Sequence, residues 1–178
     1  CLKNSAHQFH NKSGGKHYIL AGYPWFKCRA RDMFIALPGL TLALNEEFEF
    51  ISAMNTAAEA IRDFIKGRPT KCQVYEMERP DVFLWAIWAI QQYAKYCGRQ
   101  KAWDQYGRLM MDIMDYLRHN RHVNFYLHGN GLVHINGRES AETWMNSTVD
   151  GVPVVPRTGY VVEINALWYN ALKFVAEL

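Results

Sequence analysis

The stretch Asp81–Cys97, DVFLWAIWAIQQYAKYC, decides the fold of this 178-residue chain. No charged residue occurs between Asp81 and Lys95, and aspartate is a residue type that caps helix N-termini. The pattern predicts a helix that starts after Asp81 and is stopped by Gly98. A helix that is apolar on nearly all sides is buried on nearly all sides. This one is therefore predicted to be an inner helix of a two-layer, all-α fold.

Other parts of the chain also carry apolar residues at helical spacing. They predict four further helices: Ala30–Asn45, Glu46–Ile65, Gln100–Leu117 and Glu163–Leu178. The first should bend or restart at Pro38-Gly39, and Asn45 should cap the second. Helical hairpins separated by long loops indicate a toroid or superhelix. The sequence has no self-repeat of about 30–45 residues, which disfavours a regular solenoid.

The segments between these helices are predicted to be mostly irregular. Cys1–Lys16 is polar, with a turn at Gly14-Gly15. Lys71–Pro80 is predicted to be a loop. His119–Asn136 is irregular, with a short strand possible over Val123–Leu127.

Composition and charge exclude several classes of protein. The net charge is only +3 and no long Lys/Arg run occurs, so no nucleic-acid partner is predicted. No apolar run approaches the roughly 18–20 residues of a membrane span, and Cys1–Ala21 lacks the apolar centre of a signal peptide. The four cysteines are widely spaced and fit no metal pattern. They are typical of free thiols in a reducing compartment, so a cytoplasmic location is predicted.

Two histidine pairs have a spacing that places both rings on one helical face. They are His7 with His10, and His119 with His122. Neither pair has an evident third ligand nearby in the sequence, which a zinc site requires. We therefore predict neither a metal nor an organic cofactor.

The segment Thr143–Asn170, TWMNSTVDGVPVVPRTGYVVEINALWYN, is the strongest candidate for a functional site. Aromatic and polar clusters around Trp144 and Trp168 flank a loop that contains prolines and a glycine. Loop residues with this mixture of polar and aromatic side chains are more typical of a site than of packing.

A second candidate lies near the first predicted long helix. Arg31-Asp32 follows Tyr23, Trp25 and Phe26 at a loop-to-helix junction. One interpretation is a helix-terminal aspartate beside a cation. The other is sugar recognition, because a carboxylate accepts hydroxyl protons, a guanidinium donates two bonds, and an aromatic face covers the sugar C–H surface.

Three ordered segments resemble one family. Ala21–Leu40 reads AGYPWFKCRARDMFIALPGL and resembles the start of the catalytic domain of glycogen debranching enzymes, the amylo-α-1,6-glucosidase family, usually AGYPWF..WGRD.FIALPGL. Asp81–Trp85 is similar to the family's D.PLW. A third similarity, to TWMDA, a TPR-like turn and VEINALWYNAL, is carried by Thr143–Met145, Pro156-Arg157 and Val162–Leu172.

The resemblance implies an (α/α)6 toroid of six helical hairpins, whose inner helices form a funnel. Residues 1–178 would then be a partial catalytic domain, about the first half of the toroid. The implied activity is removal of α-1,6-linked glucose at branch points, with inversion. The implied partner is glycogen, a branched α-glucan or a maltooligosaccharide. A half toroid would also expose inner-helix surface around Trp85 and Trp88, where association with another surface is possible.

One position bears on the catalytic expectation. Inversion needs two carboxyl groups about 6.5–9.5 Å apart. The resemblance places the general acid at the aspartate of TWMD, where this chain has Asn146, and the general base beyond Leu178. An amide cannot donate a titratable proton.

Three explanations of Asn146 stay open. Asp150, Glu139 or Glu163 takes over as the acid; the residue is an engineered exchange that traps substrate; or the domain binds glucan without cutting it. A further alternative, from another class, is a helical protein-interaction domain with no sugar site.

The resemblance also implies substrate-binding residues: Arg31, Asp32, Asp81, Trp85, Trp144, Arg157 and Asn165. Arg31 and Asp32 would hold hydroxyls of the terminal glucose, and Asp81 and Trp85 would line the funnel. Trp144 would shape the cleavage subsite, and Arg157 would orient a neighbouring carboxylate. Glu163 and Asn165 would face the pocket from the start of an inner helix. The chain departs from the family at Arg29-Ala30, where Trp-Gly is usual.

Overall fold

A computed structural model describes all 178 residues. About half of them are helical, which confirms the prediction of a mostly α fold. The helices are α1 Leu2–His7, α2 Ala30–Leu40, α3 Glu47–Ile65, α4 Val82–Cys97, α5 Arg99–Arg118 and α6 Val162–Glu177, with a 3-10 turn over Leu42–Leu44. Six short strands form three antiparallel pairs: β1 His10–Ser13 with β2 Lys16–Ile19, β3 Tyr126–Leu127 with β4 Val133–His134, and β5 Thr148–Val149 with β6 Val152–Pro153.

Helix α4 is at the centre of the fold and packs against α2, α5 and α6. Its side chains Phe83, Ile87 and Ile90 are fully buried. Burial on several sides follows from the uncharged sequence, so the predicted inner helix is confirmed. Trp85 and Trp88 are half-buried and meet edge to face, with ring centroids 5.5 Å apart. Association through this surface stays a prediction.

The long helices form two rows. In the first row, α4 lies between α2 and α6; in the second, α3 contacts α5. The amides of Gln91 and Asn170, midway along α4 and α6, bond each other reciprocally at 3.2 and 3.0 Å. The start of α5 reaches the end of α6 through Arg99 and Glu177, 3.4 Å apart. Helices α4 and α6 are therefore parallel, and α5 runs the opposite way.

The fold has two distinct ends. We call the end where α2, α4 and α6 begin the amino end, and the opposite one, where α3 and α5 begin, the carboxy end. At the carboxy end Glu47, on the first turn of α3, accepts a hydrogen bond from Tyr93 near the end of α4 at 2.6 Å. Lys101, near the start of α5, reaches the same carboxylate at 2.6 Å.

The predicted restart at Pro38-Gly39 and the predicted cap at Asn45 are both wrong, and α2 ends at Leu40 instead of Asn45. Pro38 lies inside α2, which continues to Leu40 without a break, and the Thr41 hydroxyl donates to the Leu37 carbonyl at 2.6 Å. Asn45 does not cap α3: it closes the 3-10 turn in a left-handed conformation with φ of 60°. Asparagine tolerates that conformation better than most residues, and Glu46 takes the N-cap position.

The amino-terminal segment contains regular structure on both sides of its predicted turn. The polar stretch Cys1–Lys16 contributes α1, β1 and the first residue of β2. The predicted turn is confirmed, since Gly14 and Gly15 both have positive φ and connect β1 to β2. The strand considered over Val123–Leu127 is reduced to Tyr126–Leu127.

No helix combines the length and the apolarity that crossing a membrane demands. All four cysteines are free thiols.

Candidate functional site

A buried ion pair lies at the centre of the amino end. Arg31, on the first turn of α2, is 6% exposed, and Asp81, just before α4, is 2% exposed. Arg31 Nε donates to Asp81 Oδ2 at 2.6 Å and Nη2 donates to Oδ1 at 2.9 Å. Burial opposes the charge on Arg31, but the Asp81 carboxylate outweighs it and raises the pKa of the guanidinium. The two-pronged pairing fixes the relative position of α2 and α4.

The same ion pair holds the loop before Thr143. Arg31 Nη2 also donates to the carbonyl oxygen of Glu142 at 3.1 Å. Arg79 Nη1 donates to the Ser140 hydroxyl at 3.0 Å and to Glu142 Oε1 at 3.1 Å. Two arginines therefore attach this loop to the start of α2 and α4.

Asp81 occupies the predicted N-cap position of α4 but makes no side-chain cap hydrogen bond, because its carboxylate is bonded to Arg31. Trp85 Nε1 also donates to Asp81 Oδ2, at 3.2 Å. Asp32 is exposed and its carboxylate has no hydrogen-bond or ion-pair partner. The roles of all four residues in sugar binding stay predictions.

Asn146 lies in a shallow pocket beside an exposed tryptophan. The pocket has a volume of about 250 Å³ and is lined by Trp144, Met145, Asn146, Ser147, Val154 and Val155. Trp144 is 61% exposed. Asn146 is exposed and its side chain makes no hydrogen bond within the protein. Its amide is therefore available to a ligand.

The two exposed carboxylates considered as substitutes for an acid lie outside this pocket. Asp150 is at the tip of the β5–β6 hairpin, where its φ of 50° and the adjacent Gly151 form the turn. Glu139 is exposed in the preceding loop. Neither of them lines the pocket that contains Asn146.

Glu163 has a partner on one carboxylate oxygen and none on the other. Arg157 Nη2 donates to Glu163 Oε2, whereas Glu163 Oε1 is buried without a hydrogen-bond partner. Arg157 Nη1 also lies 3.4 Å from the sulfur of Met145. Arg157 thus connects the first turn of α6 to the residue before Asn146.

The Asn165 side chain is hydrogen-bonded to backbone atoms of Val133 and Val161. Its Oδ1 accepts from the Val133 amide at 2.8 Å, and its Nδ2 donates to the carbonyls of Val133 and Val161, both at 3.0 Å. Its polar atoms are already used in holding the β3–β4 segment to α6.

Trp168 belongs to the core, contrary to the site suggested for its cluster. It is 3% exposed and meets Phe125 edge to face, with ring centroids 5.6 Å apart. Composition does not distinguish the two tryptophans: Trp168 lies on the inward face of α6, whereas Trp144 lies in a loop and is exposed.

The loops of the amino end are joined through their backbones. Ile135 and Gly159 exchange two hydrogen bonds of 3.0 and 2.8 Å. Gly137 packs so closely against the Arg157 carbonyl that a Cβ atom there would overlap it. The loop carrying Arg157 is therefore held to the β3–β4 segment.

Exposed aromatic rings are a further feature of the loops at this end. They include Tyr23, Trp25, Phe26, Tyr75 and Trp144, and Trp25 is 83% exposed. The backbone of Tyr75 is bonded to the start of α2. Its amide donates to the Cys28 carbonyl and its carbonyl accepts from the Ala30 amide, both at 2.9 Å. Exposed rings at the same end as charged and hydrogen-bonding side chains suit a sugar chain, which presents both C–H faces and hydroxyls.

Sequence reasoning missed Glu142, Arg79 and Tyr75. The contact between Arg31 and Glu142 spans 111 residues, which local patterns do not reveal. One signal was available: Glu142 stands immediately before the Thr143–Met145 match.

The histidine pairs chosen by spacing do not form metal sites as pairs. His119 Nδ1 contacts the Asp115 carbonyl at 2.8 Å, whereas His122 is buried among Phe64, Phe83 and Tyr116. The structure contains one group of three potential ligand side chains, His10, His17 and Glu49, and it lies at the carboxy end.

Comparison with known proteins agrees with the three sequence motifs. The family model for amylo-alpha-1,6-glucosidase matches residues 4–178, nearly the whole chain. Searches of curated proteins and of solved structures returned no match. The chain therefore belongs to the amylo-α-1,6-glucosidase family, whose members process glucans in the manner of glycoside hydrolases.

Proposed function

We propose that this protein acts at branch points of glycogen or a related α-glucan, where it removes α-1,6-linked glucose. The observation that carries the proposal is the meeting of the three family motifs at the amino end. Arg31 and Asp81, which are 50 residues apart, form one ion pair, and Arg31 also reaches the loop that leads to Thr143. Residues that are distant in sequence and matched to one catalytic family converge as a substrate site requires.

The two rows of helices support the proposed (α/α)6 toroid. In such a ring, alternate helices of consecutive hairpins form the inner wall and run parallel. Helices α2, α4 and α6 alternate with α3 and α5 along the chain, and α4 and α6 are parallel. We therefore propose that the first row forms part of the inner wall of a funnel, with the amino end as its mouth.

In the proposed complex the exposed rings of the amino end cover the C–H faces of glucose units. Asp32 has an unpartnered, exposed carboxylate that is able to accept protons from two neighbouring hydroxyls. Arg31 and Asp81 hold the floor of the site rigid through their mutual bonds. Trp144 shapes the subsite next to Asn146.

The proposed chemistry is inverting hydrolysis, which needs one carboxylic acid and one carboxylate base. Asn146 stands at the general-acid position, and an amide there cannot protonate the leaving oxygen. Glu163 is the carboxylate connected to this position through Arg157. Its Oε1 is buried without a hydrogen-bond partner, so the Glu163 side chain must change rotamer before it contacts water or substrate.

The exchange Asn146→Asp tests this assignment. Because the Asn146 side chain has no hydrogen bond to lose, the change should leave stability nearly unaltered. Measured on the full-length protein, glucose release from a branched limit dextrin should rise by about 10²–10⁴-fold, the usual contribution of a positioned acid. Ser147→Asp is the matched control, since it adds the same charge one residue away in the same pocket.

An unchanged rate in Asn146→Asp, or an equal rise in Ser147→Asp, contradicts the role of position 146. Absence of glucose release from both variants, together with a melting temperature that maltooligosaccharide does not shift, contradicts the glucan site as a whole.

A second candidate function is a glucan-binding module that does not cut its ligand. The amide at Asn146 favours it, as does the position of Asp150 and Glu139 outside the pocket. This function predicts that maltooligosaccharide raises the melting temperature of both the unmodified protein and Asn146→Asp, with no glucose released by either.

The proposed location is the cytoplasm, supported by four cysteines that are all free. Localisation of a tagged copy of the protein in intact cells tests it.

A further inference from the structure

The carboxy end contains two histidines and a glutamate brought together from three elements. His10 lies on β1, His17 on β2 and Glu49 in the first turn of α3. The strand register pairs His10 with Ile19 and Lys12 with His17. Residues two apart on a strand share a face, so the two imidazoles are diagonal neighbours on the hairpin face that meets α3.

The donor atoms of the three side chains converge. His10 Nδ1 lies 2.9 Å from His17 Nε2, and His17 Nδ1 lies 3.4 Å from Glu49 Oε2. One ligand atom from each residue lies within 4.8 Å of the other two. In a tetrahedral zinc site, bonds of about 2.0–2.1 Å place ligand atoms about 3.3 Å apart. His17 faces His10 with Nε2 and Glu49 with Nδ1, so its ring must turn until one nitrogen faces both partners.

His17 is buried yet incompletely bonded. Its side chain is 1% exposed, and its Nδ1 has no hydrogen-bond partner. His10 Nε2 is likewise buried without a partner. Unpaired polar atoms in a buried site are costly, and a bound ion that turns the nitrogen lone pairs toward itself removes part of that cost.

The cluster is also open to solvent on one side. A pocket of about 580 Å³ is lined in part by His7, His10, Lys12, Glu46 and Glu49. The pocket provides a path for an ion and room for a water molecule in the fourth coordination position.

We propose that His10, His17 and Glu49 bind a divalent transition-metal ion, of which Zn²⁺ is the best match, and that the ion fastens the β1–β2 hairpin to α3. Two imidazoles and one carboxylate are a ligand set that zinc accepts. Mg²⁺ and Ca²⁺ prefer oxygen-only sites. The site lies at the opposite end of the helices from the proposed glucan site, so neither proposal depends on the other.

Lys12 is the competitor for this site. Its Nζ lies 2.8 Å from Glu49 Oε1, and its side chain is 57% exposed. The ammonium neutralises the carboxylate in the absence of an ion. Binding of a dication requires Lys12 to move away, so removal of its charge should strengthen metal binding.

The test is a titration of chelator-treated protein with Zn²⁺ in competition with a chromophoric chelator, with Mg²⁺ as the comparison ion. We expect one Zn²⁺ per chain and a raised melting temperature. His10→Ala and Glu49→Gln should each weaken binding by at least about tenfold, since loss of even an outer-shell partner costs about 10–100-fold. Co²⁺ should give the visible absorption bands of a tetrahedral site.

His128→Ala is the matched control, because it removes an exposed imidazole at a distance from the cluster, and it should leave Zn²⁺ affinity unchanged. Zn²⁺ affinity that is equal in the unmodified protein, His10→Ala and Glu49→Gln overturns the proposal. If those two variants do not fold, Lys12→Gln decides: tighter Zn²⁺ binding supports the site, and unchanged binding overturns it.

Discussion

The two ends of the helices solve the problem of buried charge in different ways. At the amino end, three arginines pair with three carboxylates: Arg31 with Asp81, Arg79 with Glu142 and Arg157 with Glu163. At the carboxy end, Glu49 pairs with the half-exposed Lys12 and lies beside two imidazoles, those of His10 and His17. Burial lowers the pKa of His17 to about 4, so this ring is neutral near pH 7.

This difference indicates that the loops of the amino end are held in one arrangement, whereas the side chains of the carboxy end can change their bonding partners. A guanidinium is permanently charged and holds a carboxylate in a planar fork, so the amino end keeps its loops in one arrangement. A neutral imidazole has a lone pair that accepts either a proton or a metal. Rigid loops with exposed rings suit a polysaccharide, whereas the imidazole cluster suits an ion.

The largest effect should come from breaking the pair at the centre of the amino end. Asp81→Asn leaves the guanidinium of Arg31 buried without its counter-charge. We expect a loss of about 3–5 kcal/mol in the free energy of unfolding, as is usual when one partner of a buried ion pair is removed. Urea denaturation followed by circular dichroism measures it.

Glu177→Gln is the matched control at the carboxy end. It breaks the pair of Arg99 and Glu177, whose side chains are 68% and 41% exposed. Exposed pairs contribute about 0–1 kcal/mol. Equal losses in the two variants would contradict the view that the amino end alone depends on a buried charge pair.

A smaller effect should appear as the pH falls, because His122 is buried at the amino end. Burial lowers its pKa from 6.5 to about 4, although the Glu142 carboxylate opposes the shift. Since the folded state disfavours the charged ring, the stability that His122 contributes is complete above pH 6.5. It is lost progressively as the pH falls toward about 4, by on the order of 2–3 kcal/mol.

His122→Gln should make the fall in stability between pH 6.5 and about 4 shallower. Glutamine stays neutral, and its side-chain oxygen can accept the hydrogen bond that the backbone amide of Asn124 donates to His122 Nδ1 at 3.0 Å. Urea denaturation at several pH values compares the slopes. His119→Gln, at an exposed position, should keep the original slope; a slope that is unchanged in His122→Gln would contradict the assignment.

The sequence predicted the helices well where one signal dominated. The uncharged run of α4 and the stop at Gly98 located that helix within a residue. A long apolar stretch without charges must be buried on most sides, and a central helix satisfies that requirement. The restart expected at Pro38 is absent: the missing N–H of Pro38 removes only its own bond to the Phe34 carbonyl, and α2 continues for two more residues. Asn45 was assigned as a cap, although its conformation is set by the turn that precedes it.

The candidate site was predictable only in part. Asp81 and Arg31 were each chosen from the sequence, but for separate tasks, and their mutual ion pair depends on how α2 packs on α4. The imidazole cluster was missed for a similar reason. Helical spacing suggested His7 and His10 as a pair of ligands. The actual neighbours of His10 are set by strand register and by contact with α3.

The smallest effect should distinguish the two ends by ligand affinity. Trp144→Ala removes a ring that is 61% exposed at the amino end. The loss of stacking is about 0.5–1.5 kcal/mol, so we expect maltooligosaccharide to bind about 2–10-fold more weakly, as measured by calorimetry. Stability should change by less than about 0.5 kcal/mol, because the ring is mostly in solvent.

Phe48→Ala is the control for this comparison, because Phe48 is 75% exposed at the carboxy end. It removes an aromatic ring of similar exposure and should leave glucan affinity unchanged. If Phe48→Ala weakens binding as much as Trp144→Ala does, exposed aromatic area alone accounts for the affinity, and the glucan site cannot be assigned to the amino end. If only Trp144→Ala weakens binding, the location of the ring and not its exposed area accounts for the affinity, and the glucan site is assigned to the amino end.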